Sequence, residues 1–286
     1  MAEKIVDSNP VPADALLGKA ADPAYADMRY RDVFWPSRRY EDGCDRMALR
    51  ALLPRSGRDL VELGAGFGRL ADEYTGYDHV ALLDLSGVQL DAARDRLKND
   101  ARYDIVEGDI FHLPFDDASF DTVVCIRVVH HFEDPRPAIA EMARVLRPGG
   151  VLILEAANKR NFKSVLLYAL RREKTSPFGP GSAHATSGTF TPERLRQKSA
   201  PREPGAPRTE WVATTDFDHA PQDVRRWLKA SGLHLERTRS VSNFRMPGLT
   251  RRLPLRVLAG LERVGQPLLA PVTFGPEVFY RARKRG

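Results

Sequence analysis

Apolar and polar positions along this chain follow two rhythms, and the rhythms take turns. Leu60 to Leu63, His79 to Asp84, Tyr103 to Val106, Thr122 to Ile126 and Val151 to Glu155 are short, nearly unbroken apolar runs. Between them the apolar residues recur at helical spacing, as Leu90, Ala93 and Leu97 do within Val88 to Lys98. Ile139, Met142, Ala143 and Leu146 repeat the pattern from Asp134-Pro135 onward, until Pro148 and the Gly149-Gly150 pair stop the helix. Strands with no polar side are buried on both faces, as parallel strands joined by helices must be. The pattern therefore predicts an α/β fold, a seven-stranded mostly parallel sheet with helices on both faces. Thr122 to Ile126, nearly all β-branched, belongs at its centre. Leu233 to Val241 and Glu277 to Arg283 supply the last two strands.

The segments around this core divide the chain. Residues 1–24 carry Pro and Ala with little periodicity and read as a flexible arm, and residues 25–54 as a lid and helix. In the lid, Tyr25, Tyr30, Phe34, Trp35, Arg38, Arg39 and Tyr40 make an aromatic and basic stretch, and Met47 to Leu53 ends a helix at Pro54. Residues 55–158 form the core, and 159–215 a basic helix (Asn158 to Arg172) followed by a loop. That loop, 175–208, has too little apolar content to build a core and is expected to be mobile, whether or not substrate orders it, with one helical turn at Phe190 to Glu193. Residues 216–286 return to the sheet through Asp216 to His219, a helix from Pro221 to Ala230 and the last two strands. The 35 residues between those strands, 242–276, replace an ordinary hairpin. Within this insertion, 243–276, leucines alternate with Arg251, Arg252, Arg256 and Arg263 between Pro254 and Pro267. The expectation is a helix packed on the core as a cap, its arginines in water; a basic amphipathic helix can also lie on an anionic membrane.

Composition changes the picture little. Hydrophobic content of 42% beside 29% charged residues is that of a soluble globular chain. Met1 to Gly18 has no apolar signal-like run, and nothing reaches the roughly 18 apolar residues of a spanning helix, so a cytoplasmic location is expected. Cys44 and Cys125 alone make no metal cluster or disulfide framework. Charge is more informative. Residues 1–158 carry a formal −9 and residues 159–286 a formal +15, which suits either an RNA or peripheral anionic-membrane contact by the back half or an arginine-rich surface and basic tail, Arg281 to Arg285, that only keep the chain in solution.

The chemistry centres on Val61-Glu62-Leu63-Gly64-Ala65-Gly66-Phe67-Gly68-Arg69. A strand running into three closely spaced glycines is a turn that lets backbone approach a ligand, with a helical stretch, Leu70 to Tyr74, expected after it. A dinucleotide fingerprint needs its third glycine three positions after the second, where Arg69 stands. The acidic-x-Gly-x-Gly-x-Gly pattern instead resembles the first motif of class I S-adenosylmethionine-dependent methyltransferases. Gly108-Asp109-Ile110, the β-branched fourth strand and Leu146-Arg147-Pro148-Gly149-Gly150-Val151-Leu152 continue that resemblance in order from Asp59 to Ala157. It is similar to the small-molecule branch that methylates carbon in ubiquinone and menaquinone precursors.

The resemblance implies a Rossmann-like fold with an N-terminal lid and a helical insertion, and S-adenosylmethionine as cofactor. It places Glu62, Gly64, Ala65, Gly66, Gly68, Asp84, Leu85, Asp109, Ile110 and Arg127 around that cofactor. Asp84, at the end of the second strand, would hold the ribose, and Asp109 and Ile110 the adenine. His130 is the candidate general base, and Trp35, Arg38, Tyr40 and His131 are candidates for the lid and acceptor pocket. Neither a Pro-Cys nucleophile nor an Asn/Asp-Pro-Pro-aromatic tetrapeptide is present. A small, partly apolar acceptor is therefore expected, ahead of an RNA or protein methyltransferase and of a non-catalytic cofactor-binding or membrane-attached scaffold.

Overall fold

The computed structural model describes residues 30–172, 176–178, 182–185 and 215–286. The expected arm, the turn at Phe190 to Glu193 and most of 175–208 lie outside the described residues. The strands are β1 (Gly57–Leu63), β2 (Tyr77–Asp84), β3 (Tyr103–Glu107), β4 (Phe120–Cys125), β5 (Leu146–Ala157), β6 (Ser182–Ala185), β7 (Thr215–Asp218), β8 (Leu233–Val241) and β9 (Glu277–Lys284). The helices are α1 (Arg39–Leu52), α2 (Gly87–Leu97), α3 (Arg136–Val145), α4 (Phe162–Ala169), α5 (Pro221–Ala230), α6 (Pro247–Thr250) and α7 (Leu255–Leu268).

Seven strands form one sheet in the order β3-β2-β1-β4-β5-β9-β8. The first five run parallel, and β9 lies antiparallel to both of its neighbours. Alternate residues of each strand face opposite layers. Leu60, Leu82, Val124, Ile153 and Phe279 pack on the side of α1, against Cys44, Ala48, Leu49 and Leu52. Val61, Leu63, Val123, Leu152 and Leu154 pack with Ile139 and Met142 of α3 and Val224 and Leu228 of α5. Both faces being covered explains the unbroken apolar runs.

Four details differ from the sequence reading. No α-helix follows the glycines: after a series of turns, only Ala71–Glu73 closes a single 3₁₀ turn. Gly64, Gly66 and Gly68 all have positive φ (72°, 54° and 72°), which keeps a helix from starting in the loop, and Leu70 (φ −97°, ψ 1°) and Tyr74 (φ −96°, ψ 28°) bound the turn outside helical dihedrals. Second, β5 starts at Leu146 rather than Val151: Phe120 pairs with Leu146 and Thr122 with Val151, so Arg147 to Gly150 bulge from the ladder. Third, α4 is shorter than Asn158 to Arg172, because Asn161 caps it by accepting from the Ser164 N–H at 3.0 Å. Fourth, β6 and β7 pair antiparallel where a loop and a lead-in to α5 were expected. The insertion helix does form, with Pro267 inside its last turn.

Candidate active site

The carboxyl ends of β1, β2, β3 and β4 converge on the glycine loop. Gly64 and Ala65 donate their N–H groups to the Leu83 carbonyl (2.8 and 3.0 Å), and Gly66 donates to Asp84 Oδ2 at 2.8 Å. The other Asp84 oxygen accepts from the Ser86 N–H at 2.9 Å, while Ser86 itself caps α2. Gly108 donates to the Asp84 carbonyl at 3.1 Å, which brings the Asp109 turn beside Asp84. There Asp109 Oδ1 accepts from the Phe111 N–H at 2.9 Å, its other oxygen lies 3.4 Å from His112 Nδ1, and Ile110 is buried. Leu85 is exposed. Burial raises the Asp84 carboxyl above its ordinary range, with its three backbone donors working against that.

Two glycines show why the loop has this sequence. A Cβ on Gly64 would sit 2.2 Å from Val128 Cγ2, so close packing against the β4 exit excludes any side chain. A Cβ on Gly66 would meet nothing nearer than Tyr30 Cε1 at 4.0 Å. The loop is therefore tight on its protein side and open on the side toward Tyr30.

Glu62 is buried on the α1 face of the sheet, and burial raises its carboxyl to about 7, opposed by the Tyr74 hydroxyl and the Arg69 cation.

The segment before α1 folds over the loop. Tyr30 packs edge-on against Phe67 (6.2 Å) and Trp35 (5.9 Å), and the Arg69 guanidinium lies 3.7 Å from the Trp35 ring centroid. Beneath them Asp45, fully buried, accepts from Arg69 at 3.0 Å and from Arg127 Nε and Nη2 at 2.8 and 3.1 Å. Arg127 is itself a non-glycine residue at φ 61°, held there by its N–H donating to Glu155 Oε2 at 2.7 Å. Its guanidinium is also 3.5 Å from Glu277. Burial drives the Glu155 carboxyl up to about 8 despite the Arg127 cation.

The remaining sequence candidates separate. Arg38 is buried, 3.8 Å from Glu41 and over the Phe34 ring, and burial lowers its guanidinium to about 10. Tyr40 points away from the glycine loop: its hydroxyl donates to Glu262 of α7 at 2.9 Å and accepts from the Phe244 N–H at 3.1 Å. His130 and His131 end the 3₁₀ turn Val129–His131, their rings 4.1 Å apart. Burial lowers His131 to about 4, and lowers His130 well below its ordinary range with further help from His131 and Arg127. His219 closes this side, its Nε2 3.1 Å from the Val129 carbonyl.

Sequence reasoning thus brought the glycine loop, Asp84, Asp109 and Trp35 to one place, named Tyr30 in the lid stretch but not as a site residue, and missed Asp45, Glu155 and His219. Asp45 carried a signal, because a carboxylate falls on the inward stripe of α1 beside Cys44, Ala48 and Leu49. The 830 Å³ cleft lined by Arg50, Arg55, His234, Arg237 and Arg281 lies at the opposite, amino end of the parallel strands. Ligands of open α/β sheets bind at the carboxyl end.

A doubly wound sheet with a glycine turn after β1 and a carboxylate ending β2 defines a nucleoside-binding α/β protein. Residues 61–154 match the family model described as a methyltransferase domain. The chain is 34% identical over 148 residues to an S-adenosylmethionine-dependent methyltransferase of Mycolicibacterium smegmatis, covering 51% of this chain and 53% of that protein. It is 36% identical over 106 residues to a demethylmenaquinone methyltransferase of Clavibacter sepedonicus, covering 37% and 43% respectively. The chain therefore spans about half the length, or less, of these curated relatives. In three dimensions it matches a chain of a Haloferax volcanii complex between the Trm112 methyltransferase activator and a methyltransferase. That match has a TM-score of 0.59 and 20% identity, covers 93% and 97% of the two chains, and is a likeness of fold. Residues 61–154 therefore form a domain of the class I S-adenosylmethionine-dependent methyltransferase family. S-adenosylmethionine is the cofactor of that family, and the site is compatible with it. The loop is open above Gly66, and two carboxylates and an exposed leucine stand on adjoining strand ends.

Proposed function

We propose that this protein transfers a methyl group from S-adenosylmethionine to a small, partly apolar acceptor. In this reading Gly64, Ala65, Gly66 and Gly68 pass their backbone along the cofactor, Asp84 takes the ribose hydroxyls, and Asp109 and Ile110 take the adenine. When bound, S-adenosylmethionine supplies a methyl already activated on a sulfonium, so the chain's task is alignment and exclusion of water. Tyr30 and Trp35 cover the loop and do the latter. His130 and His131 stand at the β4 exit, uncharged at neutral pH, and either imidazole accepts the proton an acceptor hydroxyl or amine gives up. Arg127 stays charged, and Asp45 and Glu277 neutralise it, so the site presents no net cation to the sulfonium.

One observation supports the apolar acceptor above the others. The elements entered from the carboxyl ends of β5 and β8 expose Phe162, Leu166 and Leu170 in one case and Val257, Leu261 and Val264 in the other. An RNA phosphate needs cations, and residues 159–286 provide them, but it does not need those apolar side chains. A relative that methylates demethylmenaquinone, an apolar quinone, agrees with this choice. The test is transfer of labelled methyl to organic-solvent extracts, structured RNA and protein in parallel. Label in the extract is expected. Label confined to RNA, with binding that weakens steeply as salt rises, would establish the nucleic-acid alternative. Cofactor binding with no transfer to any of the three would mark a scaffold.

A further inference from the structure

Helix α7 is inside out. Its buried face is Leu258, Glu262, Gly265 and Gln266, three of them polar or without a side chain. Glu262 accepts from Tyr40 at 2.9 Å and from Asn243 Nδ2 at 3.0 Å, and Gln266 donates to the Cys44 carbonyl at 2.9 Å. Its outward stripe is apolar: Val257, Leu261, Val264 and Leu268 recur at spacings of four, three and four, so they share one side. Val264 is 58% exposed and Leu268 70%. Arg256 and Arg263 flank that stripe on the side away from the protein.

A second exposed apolar element adjoins it. Among its described residues α4 buries none, and Phe162, Leu166, Tyr168 and Leu170 are exposed. Phe162 stacks on Phe274 at 4.7 Å and donates its N–H to the Phe274 carbonyl at 2.9 Å, which ties the start of α4 to the segment leaving α7. Val272, 65% exposed, lies between them in that segment.

The charge on this surface is of one sign. Lys163, Arg171, Arg172, Arg251, Arg252, Arg256 and Arg263 are exposed, and among the described residues none of them has a carboxylate partner. Elsewhere exposed arginines are of both kinds: Arg94 pairs with Asp91, Arg96 with Asp72, Arg136 with Asp134 and Arg226 with Asp223, while Arg39, Arg55, Arg225 and Arg237 have no carboxylate partner among the described residues. The single acid of α7, Glu262, is buried.

We infer that α4, α7 and the segment joining α7 to β9 form a docking surface for an anionic phospholipid bilayer. The apolar stripe enters the acyl boundary, and the flanking arginines stay at the headgroup phosphates, their stems lying along the apolar surface. The elements leave the sheet at the carboxyl ends of β5 and β8, the end that carries the glycine loop and the His130-His131 turn. The bilayer therefore meets the protein at the mouth of the site. This deepens the apolar-acceptor reading and rests on it for its purpose, since such an acceptor partitions into the same bilayer. The docking itself requires no turnover.

The test is flotation of the full chain with vesicles of phosphatidylcholine alone and of phosphatidylcholine doped with phosphatidylglycerol. Flotation is expected with the anionic vesicles only, reduced by added salt. The double variant Arg256→Gln/Arg263→Gln lowers partition roughly 25-fold, at roughly fivefold per cation. Val264→Asp/Leu268→Asp lowers it at least about tenfold. Because these side chains are exposed, both variants retain the wild-type melting temperature and S-adenosylmethionine affinity in vesicle-free buffer, which separates lost docking from lost folding. Absence of flotation at every anionic content would overturn the inference, as would flotation that Val264→Asp/Leu268→Asp leaves unchanged. So would a dimer, seen by light scattering, that this variant dissolves, because the stripe would then face a second copy. Retention of RNA that only the arginine variant abolishes would assign the surface to nucleic acid. Flotation without methyl transfer to any apolar acceptor would leave the docking surface in place and overturn the acceptor reading alone.

Discussion

The two glycines at the turn after β1 make the sharpest test of where the cofactor lies. Both have positive φ, 72° at Gly64 and 54° at Gly66, so alanine at either carries the left-handed penalty of about 1–2 kcal/mol. At Gly64 the new methyl also lands 2.2 Å from Val128 Cγ2, and Val128 must move against the buried core. Overpacking of this kind costs about 1–3 kcal/mol more. Gly64→Ala is therefore expected to lose about 2–5 kcal/mol of stability. At Gly66 the methyl meets only Tyr30 at 4.0 Å, so the stability loss stays near about 1–2 kcal/mol. It does, however, project into the space over which the cofactor is proposed to pass. Urea denaturation of the apoprotein measures the first quantity, and calorimetric titration with S-adenosylmethionine the second. Gly66→Ala should unfold as a mildly weakened protein and bind S-adenosylmethionine tenfold or more weakly, about 1.4 kcal/mol or greater. A Gly66→Ala protein of undiminished affinity would mean that the open side of the loop is not the cofactor side. If Gly64→Ala proved no less stable than Gly66→Ala, the Val128 contact would not constrain the turn.

Other outcomes follow from the same geometry. Asp84→Ala removes the proposed ribose acceptor and should weaken S-adenosylmethionine binding by about 1–3 kcal/mol in the same titration. Asp45→Asn leaves the buried Arg69 and Arg127 guanidinium groups without their shared carboxylate and should cost about 3–5 kcal/mol in urea denaturation. A loss under about 1 kcal/mol would show that water or Glu277 replaces it. Stability should fall as pH rises above 6.5 toward 8. In that window folded Glu155, at about 8, and folded Glu62, at about 7, still hold protons that an unfolded glutamate at 4.5 has released. His131 works in the other direction: the unfolded imidazole binds its proton below 6.5, the folded one only near 4, so stability is lost as pH falls from 6.5 to 4. Glu155→Gln should match the wild type only below pH 4.5 and exceed it by a margin that grows from pH 4.5 to about 8 in thermal melts, since glutamine keeps the acceptor for the Arg127 N–H and has no proton to lose.

Much of the sheet was legible because its strands need both faces covered. Residues such as Thr122 to Ile126 admit one environment, and the helices between them show their inward stripe plainly. The turn after β1 was legible as a ligand loop for a related reason, since the glycines answer a steric demand that nothing else meets. What followed the loop was not legible. Leu70 to Tyr74 has a helical composition, but three left-handed residues just before it set the chain's direction, and tertiary fit to β2 overrode propensity. The β6–β7 pair was hidden because Ser182 to Ala185 and Thr215 to Asp218 are too short and polar to show a period, and their partners lie some thirty residues apart. Asp45, Glu155 and Arg127 form one polar network from three distant segments, and only the folded chain brings them together.

Helix α7 shows where pattern reading meets its physical limit. An apolar stripe with flanking arginines states that one side of a helix avoids water, but not what that side touches. The expectation of a cap took the core as the default partner. In the fold, Leu258 joins the core, and the rest of the inward face is supplied by Glu262 and Gln266, whose hydrogen bonds to Tyr40, Asn243 and the Cys44 carbonyl satisfy buried polar groups on both sides. A polar contact of that kind fixes orientation more strictly than apolar packing, because a rotated helix would strand Glu262 without partners. The helix is thus held with Leu261, Val264 and Leu268 facing outward by interactions that sequence periodicity assigns to the solvent side. The same bonds explain why the lid and the insertion belong to one unit. Tyr40 follows directly on the segment that carries Trp35 over the glycine loop, and its hydroxyl ends on α7.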